Sequence, residues 1–133
     1  MKKLILFASI LFCTQINAQE NTKISTIDFV QTVNNNTKEL LYYYQNNWEV
    51  FRKMAIKKNY IDSYQFLETT PTKEAPFNYL IITTYKNKTQ FDAREKHFQE
   101  LIKAKGKLEL LNNKKPGDFR KTLFKKEVHH KED

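Results

Sequence analysis

The sequence predicts an α+β fold in which one antiparallel sheet carries two helices on one face. Three observations lead to this class. Several short segments alternate apolar and polar side chains, which is the period of a β-strand. Two longer segments repeat their apolar residues every three or four positions, which is the period of an amphipathic helix. These segments follow the order strand, helix, strand, strand, helix, strand in a chain of 133 residues, a length that suits one domain.

The first strand and the first helix are separated by three asparagines. Residues 27–33 alternate apolar and polar side chains and predict a strand. Asn36 and Glu39 have the spacing of a capping box, so we expect a helix to follow. Residues 37–58 then show helical periodicity over about six turns. The apolar residues on one face of this helix are Leu40 or Leu41, Tyr44, Trp48, Phe51 and Ala55.

Two strands are predicted in the middle of the chain. Residues 60–69 return to alternation and predict the second strand. Residues 71–76 form a polar connection with a proline at each end. Residues 77–85 are rich in β-branched and aromatic side chains and are apolar on both faces, which predicts a central strand of the sheet.

The last third of the chain predicts a second helix and an edge strand. Thr89 with Asp92 has the spacing of another capping box, and the helix is expected to end near Lys105. Residues 118–128 alternate loosely and contain lysines, which discourage pairing between exposed sheet edges. Residues 129–133 read as a charged tail.

The first eighteen residues are typical of a secretory signal peptide. Lys2 and Lys3 precede the apolar run 4–12, and Ala18 provides the small residue that signal peptidase requires. We therefore expect an exported protein, periplasmic or extracellular, that is soluble after cleavage near Ala18. No later apolar run is long enough to span a bilayer.

Cleavage at this point leaves a flexible lead-in at residues 19–26 and a domain at residues 27–128. The only cysteine, Cys13, lies within the leader, where the bulky Phe12 argues against a lipoprotein signal. The exported domain then has no thiol nucleophile, no disulfide and no cysteine metal site.

Composition excludes several functions. The two glycines rule out a glycine-rich phosphate loop or a dinucleotide fingerprint. The formal net charge is +8, but Arg52, Arg94 and Arg120 are the only arginines, and the other cations are lysines spread along the chain. Because arginine forks recognise phosphates and bases better than lysine does, we expect no nucleic-acid partner. The sequence also predicts no cofactor and no metal ion.

The order of elements corresponds to the split βαβ, or ferredoxin-like, arrangement. The chain resembles the dimeric α/β-barrel superfamily over residues 27–128. The resemblance is carried by Trp48 and Arg52 in the long first helix, by the strand from Tyr60 to Tyr64 that follows at once, and by the strand and helix from Tyr79 to Phe98. It implies that two ferredoxin-like protomers close a barrel through their open sheet faces. The superfamily includes cofactor-free monooxygenases, haem-handling enzymes, small-molecule lyases and many stress-responsive proteins, so the resemblance alone assigns no activity.

Five residues are candidates for binding a small hydrophobic ligand. Tyr64, Tyr79 and Tyr85 lie on predicted strands and would line the barrel interior if they point away from the helices. Trp48 and Arg52 are four residues apart on the first helix, where the cation can hold an anionic group of a ligand. The alternative is structural: the tyrosines fill space, Trp48 anchors the core, and Arg52 pairs with an acid such as Glu49 or Asp62.

Glu95 and His97 are candidates for catalysis. Glu95 interrupts an apolar stripe of the second helix, and a buried carboxylate there can act as a general base. His97 lies beside the same stripe. The alternative is that Glu95 pairs with a neighbouring cation and that His97 occupies a boundary position. No second ligand stands at a spacing that would make His97 a metal site.

Three functional hypotheses follow from these observations. The first is an exported, non-enzymatic binding or stress-related protein that forms a homodimer. The second is a small cofactor-free enzyme, similar to a monooxygenase, acting on an aromatic or hydrophobic substrate inside the barrel. The third is an envelope protein whose lysines bind anionic surfaces.

Overall fold

A computed structural model describes residues 21–131 as one four-stranded sheet with helices. All neighbouring strands are antiparallel and stand in the order β2-β3-β1-β4. The strands are β1 Ile24–Thr32, β2 Ser63–Glu68, β3 Tyr79–Tyr85 and β4 Arg120–His129. The helices are α1 Thr37–Tyr43, α2 Glu49–Lys57, α3 Lys88–Asp92, α4 Arg94–Lys105 and α5 Pro116–Phe119, with a π-helical turn, Tyr44–Trp48, joining α1 to α2. The predicted α+β class and antiparallel sheet are therefore confirmed. The predicted signal peptide at residues 1–18 lies outside the described residues.

The helices pack on one face of the sheet, which we call the helix face. On β3, Tyr79, Ile81 and Tyr85 belong to this face and are almost fully buried. They join two apolar clusters in which the helical partners include Phe51 and Leu40. Burying such side chains against helices supplies the main driving force for folding. The core of the domain therefore lies between the sheet and the helices.

The opposite face of the sheet, which we call the open face, is also apolar. Phe29 of β1 stacks on Phe124 of β4 with ring centroids 4.4 Å apart, and Phe77 meets Phe29 edge-on at 4.9 Å. Leu67 and Phe124 keep 43% and 44% of their surface exposed. Strand β3 is thus apolar on both faces, as its sequence predicts, but helices cover only one of these faces.

The first predicted helix contains an irregular turn. Its span agrees with the prediction, yet Tyr44–Trp48 adopts π-helical geometry rather than α-helical geometry. Asn47, only 1% exposed, accounts for part of this difference: its amide donates to the carbonyls of Tyr43 and Glu109 at 2.9 and 2.7 Å and accepts from the Glu109 N–H at 2.8 Å. The turn therefore fastens the segment that follows α4 to the first helix.

Both predicted capping boxes are wrong. Asn36 makes no side-chain cap but donates to the Asp118 carbonyl at 2.8 Å and accepts from Lys114, so its amide serves a tertiary contact instead. The second helix begins earlier, because Asn87 accepts a hydrogen bond from the Gln90 N–H. Long-range partners and a nearer cap compete with the local pattern.

Several element boundaries also differ from the sequence prediction. β1 begins at Ile24, inside the predicted lead-in, because residues 24–26 pair with both β3 and β4. A short helix, α5, replaces the start of the predicted last strand, and β4 runs to His129. β4 is an edge strand and β3 an internal one, as predicted. In the part of the chain from residue 21 to residue 131, no helix has the length and hydropathy to cross a membrane.

Candidate ligand-binding site

A cavity of about 550 Å³ opens between the helix face of the sheet and the helices. Ligand pockets in proteins commonly have volumes of about 300–1,000 Å³. Its wall includes five aromatic side chains, those of Tyr43, Tyr44, Trp48, Phe51 and Phe98. A smaller, more polar compartment adjoins it and shares Asp28, Arg52, Arg94, Glu95 and Lys125 with it. We call the larger space the arginine cavity.

All three arginines of the chain line this cavity. Arg52 comes from α2, Arg94 begins α4, and Arg120 begins β4. Among residues 21–131 there are seven ion pairs, and each is made by a lysine or a histidine rather than by an arginine. Three guanidinium groups without a carboxylate partner therefore converge on one aromatic space.

Arg52 is held with its charge directed at the cavity. Its Nε donates to Thr83 Oγ1 at 2.9 Å, and its guanidinium lies 4.6 Å from the Trp48 ring and 4.1 Å from the Phe98 ring. The two Nη nitrogens have no hydrogen-bond partner among the described residues. They are not sealed from solvent, because the only buried side-chain atoms without a partner in the described chain are Thr32 Oγ1 and His97 Nδ1. A guanidinium has five N–H donors. Four donors of Arg52 thus remain accessible to a bound group.

The other two arginines are also fixed by neutral partners. Arg94 donates to the Phe91 carbonyl at 2.9 Å and lies 4.0 Å above the ring of that residue. Arg120 donates to the Tyr44 hydroxyl at 3.1 Å and lies 5.0 Å from the Tyr43 ring. Cation–π contacts orient the guanidinium groups without neutralising them.

Asp28 places one carboxylate in the cavity from the central strand β1. It borders both compartments, and Lys125 of β4 lies 3.6 Å from it. This carboxylate is directed at the cavity because Asp28 pairs with Ile81, a residue of the helix face. With Glu95, the cavity therefore contains two carboxylates among several donors.

Burial changes the pKa of three side chains here. Removal from water lowers the pKa of Arg52 to about 10, so its guanidinium is still charged at neutral pH. Removal from water also raises the pKa of Tyr44 to about 12, against the opposing effect of Arg120. The pKa of Tyr85 is raised for the same reason, while Arg52 and Arg94 lower it in part. Both tyrosines consequently keep their hydroxyl protons at neutral pH.

The five predicted ligand-binding residues divide into two groups. Trp48 and Arg52 line the arginine cavity, and Tyr85 lines the polar compartment. Tyr64 donates to Glu49 at 3.3 Å and packs edge-on against Trp48, whereas Tyr79 stacks on Phe66. All three tyrosines lie on the helix face, so they do not meet the condition of pointing away from the helices.

The ion pairs expected for Arg52 are absent among the described residues. Glu49 binds Lys53 at 3.1 Å, and Asp62 binds Lys23 at 3.3 Å. Each of these two acids therefore has another cation as its partner. This leaves Arg52 available to the cavity rather than to a structural pair.

The structure does not bring Glu95 and His97 together. Glu95 is exposed at the cavity, so it lacks the burial that the general-base hypothesis requires. His97 faces away from the cavity and stacks on Tyr60, with ring centroids 3.6 Å apart. Side chains two positions apart on a helix point in different directions, which accounts for this separation.

Sequence reasoning missed Asp28, Arg94 and Arg120 as site residues. A signal for the arginines was present, because a chain rich in lysine uses arginine at only three positions. Their convergence depends on the pairing of β1 with β4 and on the packing of α4 against α2, which no local pattern encodes. Residues 21–131 contain no group of three or more His, Cys, Asp or Glu side chains placed to hold a metal ion.

Comparisons with known proteins identify a similar fold but no family. No protein-family model matches the chain, and no curated protein sequence matches it significantly. The chain is similar in structure to a protein described as HapK from Hahella chejuensis, with a TM-score of 0.53 and 11% sequence identity. The similarity covers 80% of this chain and 91% of HapK. At this identity the likeness supports the α+β fold alone.

Proposed function

We propose that this protein binds a flat, hydrophobic small molecule that carries an anionic group, in the arginine cavity. One observation carries the proposal: none of the three cavity arginines is paired with a carboxylate of the described chain, although lysines make six such pairs. The aromatic wall suits the body of the ligand, and the free donors of Arg52 suit its carboxylate.

The energetics favour this interpretation of Arg52. Withdrawing a charged group from water costs free energy unless a partner of opposite charge compensates. Arg52 bears this cost, as the lowering of its pKa indicates, and donates only one hydrogen bond, to the neutral Thr83 hydroxyl. A bound carboxylate would supply the missing partner. Bidentate pairing of an arginine with a carboxylate is among the stronger hydrogen-bonded contacts in proteins.

For the assembly, we propose a ferredoxin-like protomer that forms a homodimer through its open face. The order of elements and the strand order β2-β3-β1-β4 support the ferredoxin-like arrangement. The apolar open face supports the dimer, because a two-fold interface needs a patch that complements itself, and an apolar patch does so. A second copy would cover Phe124 and Leu67, the two most exposed apolar side chains of this face.

For the setting, we propose an exported, non-enzymatic binding or stress-related protein. The signal-peptide pattern of residues 1–18 supports export. The separation of Glu95 from His97 favours binding over catalysis by that pair. A second candidate is a cofactor-free enzyme acting on an aromatic substrate. Asp28 favours it, since a carboxylate that borders both compartments can accept a proton from a bound molecule.

Isothermal titration calorimetry with two probes of the same shape tests the proposal. We expect 2-naphthoate to bind to the full-length domain and the neutral 2-naphthamide to bind at least 10-fold more weakly, since a charge-assisted hydrogen bond contributes about 1.5–3 kcal/mol. Arg52→Gln removes this preference. Lys53→Gln is the matched control, because Lys53 is the next residue on α2 and its charge is exposed.

Two results would contradict the proposal. One is that neither probe binds. The other is that 2-naphthoate binds to the Arg52→Gln variant as tightly as to the original protein. For the enzymatic candidate, Asp28→Asn is the informative variant, because it abolishes proton transfer but leaves the volume of the cavity unchanged.

A further inference from the structure

From the charges and donors of the cavity, we infer that the ligand carries two acidic groups, one at each end of a flat hydrophobic body. One group binds at Arg52 and Arg94, and the other binds at Arg120 and the hydroxyl of Tyr44. This inference rests on the proposed function and narrows it to a class of ligand, the aromatic dianions.

The charge balance of the cavity supports a dianion. Four cationic side chains line it, Arg52, Arg94, Arg120 and Lys125, against two carboxylates, those of Asp28 and Glu95. The formal excess is two positive charges. Lys125 is paired with Asp28, so the excess resides on the arginines. A ligand with one negative charge would leave a guanidinium in this aromatic space uncompensated.

Arg120 and Tyr44 form a second group of donors. The Arg120 guanidinium donates one N–H to the Tyr44 oxygen at 3.1 Å and makes no other hydrogen bond among residues 21–131. The Tyr44 hydroxyl accepts this bond, and its own proton has no acceptor in the described chain. Tyr44 is 2% exposed and borders the cavity, so a group bound in the cavity can accept that proton. An acceptor on a ligand would satisfy both residues.

The two donor groups are separated by aromatic rings. The Arg52 guanidinium lies 4.6 Å from the Trp48 ring, that ring lies 6.1 Å from the Tyr44 ring, and Arg120 lies 5.8 Å from the Tyr44 ring. Arg52 borders both compartments, whereas Arg120 and Tyr44 border only the arginine cavity. The donors therefore lie at two positions along one aromatic wall, and a ligand that pairs with both needs two acidic groups.

Calorimetric titration with naphthalene-2,6-dicarboxylate and 2-naphthoate tests the inference. We expect the dicarboxylate to bind at least 10-fold more tightly than the monocarboxylate. Arg120→Gln removes this advantage, so that the variant binds the dicarboxylate and the monocarboxylate with similar affinity. Tyr44→Phe reduces the advantage and keeps the ring. The control is Lys96→Gln, which removes one exposed charge near Arg94 without altering the cavity wall.

The outcomes separate this inference from the proposed function. If 2-naphthoate binds through Arg52 but the dicarboxylate gains nothing, the proposed function stands and the two-group ligand is refuted. An advantage that survives in Arg120→Gln, or that Lys96→Gln reduces equally, refutes it as well, because the gain is then non-specific attraction. If neither molecule binds, both proposals are overturned.

Discussion

Replacement of Arg52 by methionine separates a structural arginine from a functional one. A structural cation stabilises the fold, so its removal lowers the free energy of unfolding. Arg52 instead has no carboxylate partner among residues 21–131 and is partly withdrawn from water. Methionine has a similar length, fits between aromatic rings and requires no hydration. We therefore expect Arg52→Met to be more stable than the original protein and unable to bind 2-naphthoate.

The expected change in the free energy of unfolding follows from the environment and contacts of Arg52. The lowering of its pKa to about 10 corresponds to a cost of about 3 kcal/mol for keeping the charge in the folded protein. Loss of the hydrogen bond to the buried Thr83 hydroxyl costs about 1 kcal/mol. Loss of the cation–π contacts costs up to about 1 kcal/mol more. The net expectation is an increase of about 1–2 kcal/mol in the free energy of unfolding.

Urea denaturation followed by circular dichroism measures this change. The far-ultraviolet signal is preferable to fluorescence, because the only tryptophan, Trp48, lies beside Arg52 and its emission changes with the substitution itself. Lys53→Met is the control, and its stability should equal that of the original protein within error, because the ion pair that it removes is exposed. If Arg52→Met instead lowers the free energy of unfolding by more than 1 kcal/mol, Arg52 is a structural residue and the expected stabilisation is wrong.

Three further predictions concern the buried Asn47, the buried Tyr44 and the open face. Asn47→Ala should lower the free energy of unfolding by about 2–4 kcal/mol and speed proteolysis after α4, because Glu109 loses its partners; Asn46→Ala, with one bond to a helix carbonyl, should cost less than about 1 kcal/mol. Because the folded protein raises the pKa of Tyr44 to about 12, the protonated hydroxyl contributes its full stabilisation of the fold below about pH 10 and loses it as the pH rises toward 12. Urea denaturation at increasing alkaline pH should therefore show a smaller loss of stability in Tyr44→Phe than in the original protein. Phe124→Glu should convert a dimer into a monomer in light scattering without changing calorimetric binding, since Phe124 lies on the face opposite the cavity; a monomeric original protein would contradict the assembly.

Much of the fold could be predicted because the local spacing of apolar residues indicates its strands and helices. The apolar side chains on both faces of β3 locate the centre of the sheet, and the helical spacing of Tyr44, Trp48 and Phe51 locates the first helix. Capping was less predictable, because Asn36 serves a distant carbonyl rather than its own helix. The π-helical turn was not predictable either, since it depends on contacts of Asn47 with residues far along the chain.

The candidate site was predicted only in part, for a similar reason. Trp48 and Arg52 share one helix face, so their spacing alone places them together. Arg94, Arg120 and Asp28 come from three other elements, and they meet only through strand pairing and helix packing. The tyrosines were assigned to strands, but which face would carry helices was not decided by alternation alone.

Nuclear magnetic resonance of the arginine Nε–H groups shows whether the acidic group of a ligand binds at Arg52. The chain has three arginines, so the spectrum contains three such signals, and the Arg52 Nε–H is protected by its bond to Thr83. Addition of 2-naphthoate should shift the Arg52 signal strongly and the Arg94 signal with it, while 2-naphthamide should shift neither. If 2-naphthoate binds and all three signals remain in place, the ligand does not occupy the arginine cavity and the account is wrong.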